Sequence, residues 1–208
     1  MRFDLRFKIV VPLLVLGLFL IGYATSDHKK WGTRKITMIG VFTAMAIVIG
    51  MVESMLPDLF VPGMKLGLAN VIILIMLYEF SWSEALMVDI LRVVAVSLLR
   101  GTLFSMGGWM SFAGMVLSYL GMALCVLASK RKLTPFFVSI LGALLHDVGQ
   151  IAIGILYLGS TAVLYYLPFM ALISLATGLF SGFLCRMILK SKILAKSRKL
   201  YEGDENKS

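Results

Sequence analysis

Long apolar runs, broken at short intervals by glycine, proline or a burst of charge, set the pattern of this chain. A crossing of the bilayer takes about 20 apolar residues, fewer where a helix is partly enclosed by protein. On that scale the runs predict helices over Ile9–Thr25, Ile36–Met55, Leu66–Phe80, Ser83–Leu99, Met106–Ser129, Pro135–Leu158 and Val163–Lys190. Pro57, Pro62 with Gly63, Ser81-Trp82, Gly101, Gly107-Gly108 and Gly159 punctuate the joins. Thr134 ahead of Pro135 has the form of an N-cap followed by proline at the first helical position. The expected architecture is an all-α integral membrane protein. A hydrophobic helix with a basic linker occupies 1–35, a six-helix membrane domain 36–190, and a tail 191–208 that is basic and amphipathic before becoming polar and disordered.

Composition fits this pattern. Of 208 residues, 60% are hydrophobic and 15% charged, and the mean hydropathy is +0.94. A soluble domain carries about 25% charged residues. The net charge of +9 does not point to nucleic acid, because the basic residues lie in short runs beside apolar segments: Lys29-Lys30, Arg34-Lys35, Lys130-Arg131-Lys132 and the tail from Arg186 to Lys199. Such flanks orient helices and meet anionic headgroups, so membrane lipid is the expected partner of these charges. With Lys130–Lys132 and the tail in the cytoplasm, the loops 57–65 and 159–166 fall outside and Lys29–Lys35 inside. The expected location is therefore the cell membrane, multi-pass, with a cytoplasmic C-terminus. The first segment fits less well, because a full crossing by Ile9–Thr25 would put Arg2, Arg6 and Lys8 outside. A retained extra helix, an interfacial or re-entrant segment, and a signal peptide cut near Ala24 all remain open.

Several side chains interrupt the apolar pattern where interruption is costly. An ionised group at a bilayer centre costs about 2.5–3.5 kcal/mol on insertion scales, so such residues usually face a bundle interior or a water-filled site. Asp89 and Arg92 lie three apart, and His146 and Gln150 four apart, each pair on one helix face. Arg92 and His146 fall at comparable depths. Asp147 lies about 100° round from His146, given 3.6 residues per turn, and is a candidate partner for Arg92. This group can either lock helices together or handle a ligand or proton. Lys65, Asn70, Arg100, Trp109, Tyr165 and Tyr166 belong to the outer side. The aromatics there can be plain interfacial anchors, or with the basic residues they can suit an anionic small molecule. The loop 57–65, with two prolines and an apolar tip, is placed to cover an outward-facing cavity.

Glu53, Glu79 and Glu84 lie near helix ends and are expected to be solvated. Gly40 and Ala44, like Ala46 and Gly50, are small residues four apart. They suit close helix packing, either within the bundle or with a partner membrane protein. Cys125 and Cys185 are expected to be small core residues, with neither a disulfide framework nor metal-ligand spacing. There is no Walker phosphate loop, no Asp-Asp-x-x-Asp diphosphate device and no Cys-x-x-Cys-His haem motif. No catalytic residue, metal or cofactor is expected, and the chain is not read as an enzyme.

Taken together, Lys65-Leu-Gly-Leu-Ala-Asn70, Leu91-Arg92, Arg100-Gly-Thr102, His146-Asp-Val-Gly-Gln150 and Tyr165-Tyr-Leu-Pro168 resemble the Gx transporter family, also labelled heptaprenyl diphosphate synthase component I. The resemblance spans roughly residues 36–190. It implies a six-helix bundle like the S components of energy-coupling-factor transporters, with both ends cytoplasmic and a vitamin-like ligand held in the outer half. It also implies a membrane coupling protein driven by two ATPases as partner, docked partly through small residues of the first bundle helix; Gly40, Ala44, Ala46 and Gly50 match in kind. The ligand-binding set expected on this reading is Lys65, Asn70, Arg92, Arg100, His146, Asp147, Gln150 and Tyr165. Two other readings follow from the same resemblance. One is a membrane subunit serving a flavin-bearing redox partner or a quinone. The other is a non-catalytic subunit of prenyl diphosphate synthesis, since the paired aspartates of the catalytic chemistry are missing.

Overall fold

The structure, a computed structural model, describes residues 16–24, 33–55 and 68–191. Residues 16–24 are helical (α1). There follow α2 (Thr33–Met55), α3 (Asn70–Glu79), α4 (Trp82–Leu99), α5 (Met106–Ala128), α6 (Pro135–Leu158), a 3-10 turn over Thr161–Tyr166, and α7 (Leu167–Lys190). No strand occurs among the described residues. Lys35–Met55, Met106–Ala128, Pro135–Leu158 and Thr161–Lys190 are long and apolar enough to cross a membrane. The architecture is that of a helical membrane protein. Large apolar side chains such as Val48, Leu124, Leu172 and Phe180 are exposed, while Asp89, Arg92, Asp147 and Gln150 are buried. That is the reverse of the pattern in water.

Local chemistry explains the element ends. Pro135 opens α6, and Gly159, at φ +63°, closes it in the left-handed conformation, its N–H donating to the Ile155 carbonyl. Thr134 is extended as an N-cap should be, yet its hydroxyl makes no capping bond. The run expected as one helix over Val163–Lys190 divides. Thr161–Tyr166 forms the 3-10 turn, with Ser160 accepting from the Ala162 N–H, and α7 begins beside Pro168, which needs no intrahelical donor there. The helix expected over Leu66–Phe80 is also shorter, starting at Asn70 after a turn at Leu68–Ala69; 66 and 67 lie outside the described residues. At 1.5 Å per residue α3 is about 15 Å long, half the hydrocarbon thickness. Every residue from Asn70 to Tyr78 is buried, so α3 is an apolar peg enclosed by its neighbours.

Glycines set how closely the later helices approach. A Cβ on Gly149 would lie 2.6 Å from the Ala113 carbonyl oxygen, so α6 rests on the backbone of α5 there. A Cβ on Gly182 would lie 2.7 Å from Phe136 Cα, and α7 rests on α6 in the same way. The pairings Gly114 with His146 and Gly142 with Met122 make α5 and α6 antiparallel. In contrast, α2 and α4 run parallel, joined by Lys35 to Glu84 near one end and by Gly50 against Val96 near the other. Gly22 of α1 packs on Leu86 and Met87 of α4.

At the end of the bundle near Phe80, two turns are tied together. Arg131 Nη2 donates to the Phe80 carbonyl at 2.6 Å and the Tyr78 hydroxyl to the Leu133 carbonyl at 2.7 Å. The Tyr119 hydroxyl donates to the Trp82 carbonyl. Lys130 and Arg131 both adopt positive φ, 51° and 63°, a conformation costing L-residues about 1–2 kcal/mol each. Within the basic run Lys130–Lys132, Arg131 is thus a structural clamp as well as a flanking charge.

Candidate functional site

Helical spacing brings the interior polar groups to one level. On α4, Arg92 Nη2 lies 2.7 Å from Asp89 Oδ1, one turn away. Arg92 Nη1 donates to Asn70 Oδ1 at 3.3 Å, and Asn70 Nδ2 donates to the Ser118 hydroxyl at 3.0 Å. One chain of contacts thus links α4, the first residue of α3 and the middle of α5. A buried ion pair is favourable only when further hydrogen bonds satisfy its remaining atoms. Here the satisfaction is incomplete: Asp89 Oδ2 and Arg92 Nε have no hydrogen-bond partner among the described residues.

Arg92, Glu53, Ser111 and His146 line a small cavity together with Gly50 and Ala69. Its volume is about 20 Å³, room for one water. His146 is buried, and its ring lies where a Gly114 Cβ would be, 2.8 Å from the nearest ring atoms. Any larger residue at 114 would push the imidazole out of the cavity wall. Glu53, on α2, reaches the start of α3, where the Ala69 N–H donates to Glu53 Oε2 at 3.5 Å. The amino end of a helix favours negative charge, so the carboxylate of Glu53 already takes the position an anion would seek.

The expected partnership of Asp147 with Arg92 does not form. Asp147 is turned toward α7, where the Ser174 hydroxyl donates to its carboxylate, and its Oδ2 has no hydrogen-bond partner among the described residues. The glycine contacts at 149 and 178 fix the rotation of α6 so that His146 faces α5 and the cavity while Asp147 faces α7. Gln150 is fully buried. Arg100 is exposed in the turn after α4, and Tyr165 is 87% exposed; neither lines the cavity. Trp109 is buried, which corrects the expectation of an interfacial anchor. Lys65 and the loop 57–65 lie outside the described residues.

Two further expectations are corrected. Glu53 and Glu84 are buried, at 6% and 1% exposure, where solvated groups were expected; Glu79 is half-buried. Glu84 pairs with Lys35 at 2.6 Å, forming a second interior ion pair at the opposite end of the α2–α4 contact. A signal for it existed: Lys35 and Glu84 each stand at the start of apolar segments expected to rise from the same side. The four small residues of α2 separate into two faces. Ala46 and Gly50 are buried, Gly50 against Val96, whereas Gly40 and Ala44 are exposed and nothing lies within 4 Å of a Cβ placed on Gly40. Cys185 is buried and Cys125 half-buried, and both are free thiols.

Residues 42–188, from the middle of α2 to the last turn of α7, match the family model of heptaprenyl diphosphate synthase component I. The chain belongs to that family. No curated protein and no solved structure matches it. The matched span holds every residue of the cavity and of the Asp89–Arg92–Asn70–Ser118 chain. It leaves out α1 and Lys35. In this member of the component I family, the interior polar cluster therefore lies wholly within the matched span.

Proposed function

We propose that this protein is a small-molecule-binding membrane subunit of a transporter, an S-component-like six-helix bundle with one extra N-terminal helix. The observation that carries this reading is the polar cavity itself, set among apolar helices with Arg92 Nε lacking an acceptor among the described residues and Glu53 at the amino end of a half-length helix. Half-length helices whose amino ends open at mid-membrane are a recurrent way of receiving charged substrate groups. A cavity of about 20 Å³ has room for a water and not for a larger ligand, so binding requires it to widen. Admission of a ligand then separates α2 from α3 and α4, with the segment 57–65 acting as the cap and Lys65, Arg100 and Tyr165 at the entrance. An anionic ligand group would take over the place of Glu53 at the start of α3. The exposed pair Gly40 and Ala44 is the face we assign to a membrane coupling protein with ATPases, the C-terminal tail lying in the cytoplasm of a multi-pass protein.

A component of a synthase without a diphosphate-binding aspartate motif suits a non-catalytic subunit. That leaves the prenyl diphosphate and flavin- or quinone-linked readings as the competing assignments. Purification from the native host in mild detergent, followed by mass spectrometry of co-eluting proteins and small molecules, separates the three. A coupling protein with an ATPase pair and a bound metabolite is the expected result. A flavoprotein or quinone without ATPases, or a prenyl synthase subunit carrying paired aspartates, overturns it.

A further inference from the structure

The clamped end of the bundle carries a charged patch that the polar cavity does not use. Gly178 meets Ile140 and Gly182 meets Phe136, so α7 runs antiparallel to α6, residue for residue. The same register carried on brings Arg186 level with the turn Lys132–Thr134 that precedes α6. The Arg186 guanidinium lies over the Phe136 ring, 5.7 Å from its centre. An aromatic face attracts a cation and holds it in place. Lys190 stands four residues on, along the same face of α7. Lys130, Lys132, Arg186 and Lys190 are all exposed. None of the four pairs with a carboxylate among the described residues. Of the carboxylates at this end, Glu84 is taken by Lys35, and Glu79 stands on α3, on the side of α7 that carries the buried Cys185.

Toward the middle of the bundle this surface turns apolar. Phe180, Phe183 and Met187 follow one another at helical spacing and are each more than half exposed. Phe183 lies one turn from Arg186. Cations alone would suit any anion, but cations at the head of an apolar stripe suit an anion that carries chains. We infer that this corner of α6 and α7 binds an anionic phospholipid, its phosphate held by Arg186, Lys132 and Lys190 and its acyl chains laid along Phe183 and Phe180. Basic pockets between helices are a recurrent seat for such headgroups. Arginine suits the phosphate because its planar fork offers two parallel hydrogen bonds where an ammonium acts as a point charge. The site is separate from the cavity at Arg92 and does not depend on what that cavity binds.

The test uses the full-length protein in mild detergent with phosphatidylglycerol, phosphatidylcholine of the same chains, and inorganic phosphate. In native mass spectra phosphatidylglycerol should be retained, and phosphatidylcholine about tenfold less. Arg186→Gln should weaken that retention about tenfold, the worth of one charge-assisted hydrogen bond, and Lys132→Gln about fivefold. Both side chains are exposed, so each variant should melt with wild type in lipid-free detergent. Arg186→Lys, which keeps the charge and loses the fork, should recover only part of the binding. Phosphatidylglycerol with a photoreactive diazirine in one acyl chain should label the Phe180–Met187 stretch of α7. Excess inorganic phosphate should leave the lipid in place; ready displacement by phosphate would make this a free-anion site and overturn the lipid assignment. Arg100→Gln removes a positive charge from the opposite end, and a loss there equal to that of Arg186→Gln would reduce the effect to net charge and overturn the site. Equal retention in wild type and the Arg186→Gln/Lys132→Gln double variant, or labelling spread evenly over α2 and α7, overturns it as well.

Discussion

The α5–α6 pair and the α2–α4 pair are built on different principles. α5 and α6 meet backbone to backbone through glycines, and half of each span is buried. α2 lies against α4 with 22% of its span buried, held by the Lys35–Glu84 ion pair and by Gly50 near Arg92. In a bilayer, where lipid is as apolar as leucine, close packing and interhelical polar contacts supply the attraction between helices. The first pair draws on packing, which has one geometry. The second draws on charge, which can be re-partnered. The polar cavity lies where the two meet, with His146 supplied by the packed pair and Glu53 and Arg92 by the charged one.

The largest loss is expected from uncoupling the Asp89–Arg92 pair, the interior ion pair that α4 brings to the cavity. Arg92→Ala leaves the Asp89 carboxyl enclosed without its partner, and should lower thermal stability in detergent by about 3–5 kcal/mol. The double variant Asp89→Leu/Arg92→Met, which removes both charges, should recover most of it. A double variant as unstable as the single one would mean that Arg92 acts through packing and not through charge. A smaller effect is expected in the packed pair. Gly149→Ala drives a methyl into the Ala113 carbonyl and should cost about 1–3 kcal/mol, read as an earlier melting transition. The smallest belongs to the outer face of α2, where Gly40→Leu meets open space. Its melting temperature should match wild type within about 0.5 kcal/mol of stability. A destabilised Gly40→Leu would show that another part of the chain covers this face.

How much of this was legible in the sequence differs between the two pairs for a physical reason. Pro135 and Gly159 fix the ends of α6 through backbone chemistry alone, and the observed helix has the predicted limits. The meeting of Arg92 and His146 at one cavity follows from depth, which hydropathy and helical rise supply; Asn70, expected on the outer side, bonds Arg92 because α3 starts lower than predicted. The partner of Asp147 was not legible. Rotation of α6 about its axis is set by glycine contacts with two other helices, and adjacent residues such as His146 and Asp147 are then sent to different neighbours. Glu53 and Glu84 misled for a related reason. Nearness to a helix end allows a carboxylate to reach water, but lateral facing decides whether it does, and both face inward toward a helix start or a lysine. The whole of the loop 57–65, expected to cover the cavity, and residues 9–15 of the first predicted helix fall outside the described residues.

The short, enclosed α3 has a consequence for how the protein is made. A ten-residue apolar helix cannot hold itself across a bilayer, and α4, with Glu84, Asp89 and Arg92, is a poor candidate for insertion on its own. Asp89 and Arg92 travel as a neutral pair on one helix, which eases that step, while α3 must wait for neighbours to surround it. During biosynthesis the centre of the bundle is therefore expected to close last, after the outer helices are already in the membrane.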